Sequence, residues 1–240
     1  MILNYKNQNV LVTGATRGIG RRLAEDMATL GANVTATGTS SNYKPFTSGI
    51  NFHQANFLSD ESTDRFTSFV SDMNFDVVIN NAGINKIDSI CEIDTKDWDD
   101  IIAVNLTAPL KVLKAVTPGM KERGYGRVVN IASIWGSVSI PHRAAYSASK
   151  TGLKGLTRAV AAEMAAHNVL VNTVSPGFTL TDLTRKVLGE EKMKEICKLI
   201  PMKRMATPEE ISKVVLFMAS DLNTYISGQD IIADGGFVNV

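Results

Sequence analysis

Val10-Leu11-Val12-Thr13-Gly14-Ala15-Thr16-Arg17-Gly18-Ile19-Gly20 is a short apolar run that breaks into a glycine-rich turn, and a helical pattern, Gly18 to Leu30, follows at once. The three glycines are spaced G-x-x-x-G-x-G, a variant of the dinucleotide fingerprint G-x-G-x-x-G. A chain that passes this abruptly from strand to helix presents backbone N–H groups at the positive end of the helix dipole, where a pyrophosphate binds. Glycine suits the turn because the backbone must bend sharply and come close to the ligand. The stretch therefore reads as a strand–turn–helix unit that holds a nucleotide, with Gly14, Thr16, Arg17, Gly18, Ile19 and Gly20 at the phosphates.

Outward from this unit the same rhythm repeats. Further strand candidates are Asn33 to Thr37, Asn51 to Ala55, Asp76 to Asn80, Arg127 to Ile131, Val169 to Val174 and Asp230 to Ala233. Between them lie the helical patterns Ser59 to Asp72, Asp97 to Glu122, Ala144 to Ala166 and Pro208 to Ser220, the last opened by the cap Thr207-Pro208-Glu209-Glu210. Several strands are apolar throughout, as in a parallel sheet covered on both faces. Unbroken alternation predicts an α/β fold, a doubly wound parallel sheet flanked by helices, in a single domain spanning residues 1–240. One segment, 179–205, departs from the rhythm and carries seven basic residues (Arg185, Lys186, Lys192, Lys194, Lys198, Lys203 and Arg204), which makes it a candidate substrate lid.

Composition narrows the function. With 25 Lys and Arg against 24 Asp and Glu the formal charge is +1, which argues against a nucleic-acid binder acting through a strong general field. Two cysteines are too few for a disulfide scaffold. No run approaches the ~18 consecutive apolar residues of a membrane span, and Met1 to Lys6 lacks the features of a secretory signal, so a cytoplasmic, membrane-free protein is expected. The acids Asp94, Asp97, Asp99 and Asp100 sit at a helix start, where carboxylates suit the dipole, and His53, His142 and His167 lack ligand spacing; no metal is expected.

The coenzyme preference is read after the second strand. An NAD site carries an acid there to bond the ribose hydroxyls, whereas Thr37-Gly38-Thr39-Ser40-Ser41-Asn42 contains none. Hydroxyls such as Thr39, with Arg17 and the nearby Lys44, suit a 2′-phosphate, so NADP is the expected cofactor.

Tyr146 and Lys150 stand one turn apart in the pattern Ala144 to Ala166, so they share a helix face. An ammonium beside a phenol is expected to lower its pKa toward the working pH and make it a proton donor and acceptor for a carbonyl–alcohol interconversion. Ser133 follows one strand and Asn80-Asn81-Ala82-Gly83 another, both at carboxyl ends where ligands collect, and Asn105 is a polar residue amid Ile101, Ile102, Val104 and Leu106.

Thr13-Gly14-x-x-x-Gly18-x-Gly20, Asn80-Asn81-Ala82-Gly83, Asn105, Ser133, Tyr146-x-x-x-Lys150 and Pro176-Gly177 occur in the order found in short-chain dehydrogenases/reductases, which the chain resembles over nearly its whole length. The resemblance implies a single Rossmann-type sheet of seven strands and a catalytic tetrad of Asn105, Ser133, Tyr146 and Lys150. It implies that Tyr146 is the general acid/base, that Ser133 orients the substrate oxygen, and that Lys150 binds the nicotinamide ribose while Asn105 anchors a water in a proton relay. Asn81, Ala82, Gly83, Pro176, Gly177 and Thr181 are then cofactor contacts, and a homotetramer or homodimer is the usual assembly.

Among relatives, the general likeness is to β-ketoacyl-carrier-protein reductases, through Asn105-Leu106, Gly124-x-Gly126-Arg127, Pro176-Gly177-Phe178 and Gly228 to Gly236. Arg127 matches a basic position that docks the acidic carrier there, whereas a second such position holds His167, mostly neutral at pH 7. A small-molecule carbonyl or alcohol, carrier-linked or free, is therefore the expected partner. A sugar or polyol dehydrogenase and a non-catalytic NADP-binding regulator are the alternatives. The loop Ile134 to Arg143 is expected to line the pocket, with Trp135 stacking on substrate and His142 or Arg143 bonding a hydroxyl or acid group.

Overall fold

The protein is described by a computed structural model covering residues 3–46 and 49–239; the side chains of residues 182, 183 and 185–187, which include Arg185 and Lys186 of the basic run, lie outside the described set. β1 (Asn9–Val12), β2 (Asn33–Gly38), β3 (Ile50–Gln54), β4 (Val77–Asn80), β5 (Gly126–Ile131), β6 (Val169–Pro176) and β7 (Asp230–Ala233) form one seven-stranded sheet in the order β3-β2-β1-β4-β5-β6-β7. Every pairing is parallel. The expected Rossmann-type sheet is the observed one.

Side chains alternate across the strands, and each face has its own core. Val10 and Val12 of β1 pack with Leu23 and Met27 of α1 (Gly18–Thr29) and, beyond, with Ile211 and Val215 near the C-terminus. Leu11 points the other way, into a cluster with Phe66 and Val70 of α2 (Asp60–Ser71). In β1, β4, β5 and β6 nearly every residue is buried, which explains their apolar, β-branched composition.

The pattern expected as one helix from Asp97 to Glu122 is three pieces. α3 (Thr95–Ile102) begins early because Asp94 caps it, Oδ1 accepting from the Lys96 N–H at 2.8 Å. A π-turn, Ala103–Thr107, widens the helix at Asn105, and α4 (Ala108–Arg123) continues to Gly124. The continuous stretch Thr95–Arg123 is, by length and composition, apolar enough to cross a membrane. Here its Val104, Val112, Leu113, Val116 and Met120 fill the second core, which accounts for the apolarity.

α5 (Ala144–Met164) crosses back to β6, and α6 (Asp182–Leu199) lies in the segment that broke the rhythm. Gly189, at φ 70° and ψ 167°, divides α6 into two helical pieces, which is why its periodicity is loose. α7 (Pro208–Met218) opens with the expected capping box between Thr207 and Glu210. The chain moves outward from β1 to β3 and returns beside β1 as β4, so the strand order reverses between β1 and β4 and leaves a crevice at their carboxyl ends.

Candidate active site

Two turns meet in that crevice. Asn81 Nδ2 donates to the carbonyls of Thr13 and Gly14, each at 3.0 Å, while Thr13 Oγ1 accepts from the N–H groups of Asn81 and Ala82, each at 3.0 Å. The Asn81 side chain thus ties the loop after β4 to the glycine turn after β1. Gly14 has φ +63°, and a Cβ there would lie 2.7 Å from Ala82 Cα. A Cβ on Gly20 would run into Asn81 Nδ2. Both glycines are required by the closeness of the two loops.

α2, α3, α6 and α7 each carry a side-chain cap at their first turn, but α1 has none: Arg17 stands at its N-cap position with an exposed side chain. The N–H groups that open α1 face a cleft of about 500 Å³ lined by Gly14, Thr16, Arg17, Gly18, Ile19, Gly20, Thr39, Asn81, Ala82, Gly83 and Thr181. Thr181 caps α6 through Oγ1 and sits with Cγ2 3.5 Å from where a Gly18 Cβ would be, so the start of the 179–205 segment borders the turn. An uncapped helix N-terminus opening among Gly14, Gly18 and Gly20 fits a pyrophosphate.

Ser40 and Asn42, in the acid-free stretch expected to meet the 2′-phosphate, also line the cleft, and so do residues the sequence did not point to: Tyr43 after β2, Asn56, Phe57 and Leu58 after β3, and Ile84 and Val104. The signal was present in part, because β3 ends on the same edge as β1 and β2. The wall after β2 is built of hydroxyls and an amide, as the absence of an acid there required. Arg21 holds this loop by donating to the carbonyls of Lys44 and Pro45, each at 2.7 Å.

Farther along the edge, β5 ends at Ile131 and leads to Ser133, whose Oγ accepts from the Trp135 N–H at 3.2 Å. Lys150 is buried, and its Nζ donates to the Ile131 carbonyl at 2.8 Å, 5.7 Å from the centroid of the Tyr146 ring. Burial pushes the Lys150 pKa down to about 8. The expected lowering of the Tyr146 pKa is not found. Burial of the hydroxyl raises it above the ordinary phenol value, while the Ser133 hydroxyl and then Arg143 pull it part of the way back. Lys150, whose Nζ donates to the Ile131 carbonyl, is not among the groups that lower it.

Asn105 is wholly buried, with Oδ1 accepting from the Ile84 N–H at 2.9 Å and Nδ2 donating to the Ile84 carbonyl at 2.9 Å and to Ser149 Oγ at 3.1 Å. Its side chain therefore clamps the loop after Gly83 to α5. Pro176 ends β6, and the Gly177 N–H donates to the Ala233 carbonyl at 2.9 Å; neither residue lines the main cleft.

Two expectations about substrate contacts are overturned. Trp135 is buried and meets Phe178 and Phe237 edge-on, with centroids 5.8 and 6.1 Å away, so its ring is already packed within the protein. Arg127 is buried near the amino end of β5, on the edge opposite the site, and donates to the carbonyls of Gly126 and Asn168 at 2.9 Å. It cannot dock an acidic carrier from there. The acids near residue 97 are in structural use: besides the Asp94 cap, Asp97 pairs with Lys86 at 2.9 Å and Asp100 with Lys96 at 2.5 Å.

A parallel doubly wound sheet, an uncapped glycine turn at its switch point and a Ser–Tyr–Lys cluster on the same edge define a nucleotide-dependent oxidoreductase. The family model for enoyl-(acyl carrier protein) reductase matches residues 14–238, and the chain belongs to the short-chain dehydrogenase/reductase family. It is 38% identical to the 3-oxoacyl-[acyl-carrier-protein] reductase FabG of Aquifex aeolicus, with 98% of this chain and 99% of that one aligned. Identity to the Escherichia coli (strain K12) enzyme of the same name is 34%, over 99% and 100% of the two chains. A crystal structure from Beutenbergia cavernae with bound NADP, described as an NAD(P) dependent gluconate 5-dehydrogenase, superposes with a TM-score of 0.92 at 31% identity, over 99% of each chain.

Proposed function

We propose that this protein is an NADP(H)-dependent oxidoreductase that interconverts a carbonyl and an alcohol, with Tyr146 as its general acid/base. The observation that carries this reading is the shared edge: the glycine cradle, Ser133, Tyr146 and Lys150 all stand at the carboxyl ends of the strands. NADP(H), when bound, supplies or receives the hydride. The N–H groups opening α1, with Gly14, Thr16, Gly18, Ile19 and Gly20, hold the pyrophosphate. Thr39, Ser40 and Asn42 present hydroxyls and an amide to the 2′-phosphate, and Arg17 gives it a charge-assisted contact. Asn81, Ala82, Gly83, Pro176, Gly177 and Thr181 border the nicotinamide end.

Lys150 bonds the nicotinamide ribose and steadies the Tyr146 side of the site; Ser133 bonds the substrate oxygen. Tyr146, kept protonated by burial, donates its proton to that oxygen during reduction and takes it back during oxidation. Asn105 belongs to the tetrad as a positioning residue, because its amide fixes the loop that follows Gly83. The 179–205 segment serves as a substrate lid, the single domain assembles as a homotetramer or homodimer, and the protein works in the cytoplasm.

The relatives' names favour a β-ketoacyl thioester as substrate. A sugar or polyol dehydrogenase is the second reading, favoured by the burial of Arg127, which removes one of the cations expected to meet a carrier protein. A regulator without catalysis has no use for Tyr146 and Lys150 at this edge. Steady-state assays with both coenzymes test the proposal: NADPH should give the higher kcat/KM by at least about tenfold, one charge-assisted contact being worth ~1.5–3 kcal/mol. Equal or better use of NADH overturns the coenzyme assignment. Tyr146→Phe should bind NADPH as before and lose about 10²- to 10⁴-fold in kcat.

A further inference from the structure

Arg143 closes the loop that leads from Ser133 into α5. It stands at the N-cap position, its carbonyl accepting from the Ser147 N–H at 2.8 Å, and Tyr146 is the third residue of the helix, one turn away. The side chain is half-buried, and its Nε is fully shielded from solvent with no hydrogen-bond partner among the described residues. Other arginines with enclosed guanidinium groups are satisfied. Arg21 reaches Glu25 and two carbonyls, Arg123 reaches Asn74 and the Phe75 carbonyl, and Arg127 reaches several backbone oxygens. A buried donor left unmatched costs about 1–3 kcal/mol, and more when charged.

The position compounds the cost. Cations are disfavoured at helix N-termini, where backbone N–H groups already carry partial positive charge. α5 has neither a side-chain cap nor an acid in its first turn. A half-buried guanidinium whose Nε lacks a partner and an uncapped helix start thus lie together, one turn from the phenol, and an anion with planar acceptor oxygens complements the positive charge of both.

We propose that Arg143 and the opening turn of α5 receive a carboxylate that the substrate carries a few bonds from the carbon being reduced. Oxo acids, with the corresponding hydroxy acids as products, are then the substrate class. The inference rests on the oxidoreductase reading and sharpens it. The proximity of Arg143 to Tyr146 sets the spacing: both ends of a short substrate are held at once, the carbonyl by Ser133 and Tyr146 and the carboxylate by Arg143. A thioester on a carrier has no carboxylate at that distance, only a neutral carbonyl.

The test compares wild type, Arg143→Met and Arg143→Lys, each with NADPH, on matched substrates. Acetoacetate is set against 2-pentanone, 5-ketogluconate against fructose, and a β-ketoacyl N-acetylcysteamine thioester is added. Wild type should favour the oxo acid in at least one pair. Arg143→Met should lower the ratio of kcat/KM for that acid to kcat/KM for its neutral partner about 10- to 100-fold, mainly through KM for the acid, over and above any loss the two substrates share through Tyr146; Arg143→Lys should keep part of the preference. NADPH titration by fluorescence verifies that each variant is folded. Equal losses on acid and neutral substrate, or a wild-type preference for the thioester, overturn the carboxylate assignment and leave the oxidoreductase standing. Tight NADPH binding without turnover of any substrate, in either direction, overturns both.

Discussion

Lys150 shows how much of a residue's chemistry is set by what surrounds it. A lysine one turn after a tyrosine is visible in the sequence, and so is the face they share. That its amine is buried against the Ile131 carbonyl, with a pKa near 8, is not. Because the folded-state pKa lies below the unfolded value, the folded protein bears the cost of a buried charge below pH 8. It sheds that cost as the pH rises from about 8 toward 10.5, so Lys150 makes stability increase across that window. The shift corresponds to roughly 3 kcal/mol at neutral pH. Lys150→Met should therefore abolish turnover yet melt no lower than wild type at pH 7, an advantage that fades by pH 10.5. Thermal melts without coenzyme at the two pH values check this. Tyr146 carries the complementary lesson: the Tyr–Lys spacing suggested a lowered pKa, but burial of the hydroxyl dominates, which keeps the phenol a proton donor at neutral pH.

At the scale of elements, the strand–glycine turn–helix unit was legible because its requirements are local. Gly14 needs a left-handed φ and Gly20 the absence of a side chain, and no other residue meets either demand cheaply. Gly14→Ala should lower both stability and NADPH affinity, with a melting loss equivalent to about 1–3 kcal/mol, since a Cβ would press on Ala82 Cα. The π-turn was not legible. The pattern around Asn105 looks like continuous helix, and only the position of Ile84 and Ser149 in space explains why a buried amide and a widened turn occur there. Asn105→Ala leaves the Ile84 N–H and carbonyl unpaired at once. It should cost about 2–4 kcal/mol and lower kcat while the variant still binds NADPH, as seen by denaturant titration alongside kinetics.

For the molecule as a whole, the order of strands decides which residues can act together. The reversal between β1 and β4 brings residues near 14, 39, 81 and 181 around one cleft, and it puts Ser133, Tyr146 and Lys150 on the same edge. It also sends Arg127 to the far edge. Arg127→Met should lower the melting point, by the equivalent of about 2–4 kcal/mol, because three backbone carbonyls lose a donor. It should leave KM for a carrier-linked β-ketoacyl thioester unchanged. A raised KM with an unaltered melt would restore the docking role.

By itself the sequence determined the class of fold, the glycine turn, the lack of an acid after β2 and the choice of Ser133, Tyr146 and Lys150 as the candidate site residues. All of these rest on local chemistry: periodicity, backbone freedom and side chains at short spacing. The tertiary structure alone decided that Asn105 is a clamp, that Trp135 is packed against Phe178 and Phe237, that Arg127 faces away, and that Arg143 has a buried nitrogen in want of a partner. Burial and hydrogen-bond satisfaction depend on residues far apart in the chain, and only the folded sheet brings those residues into contact.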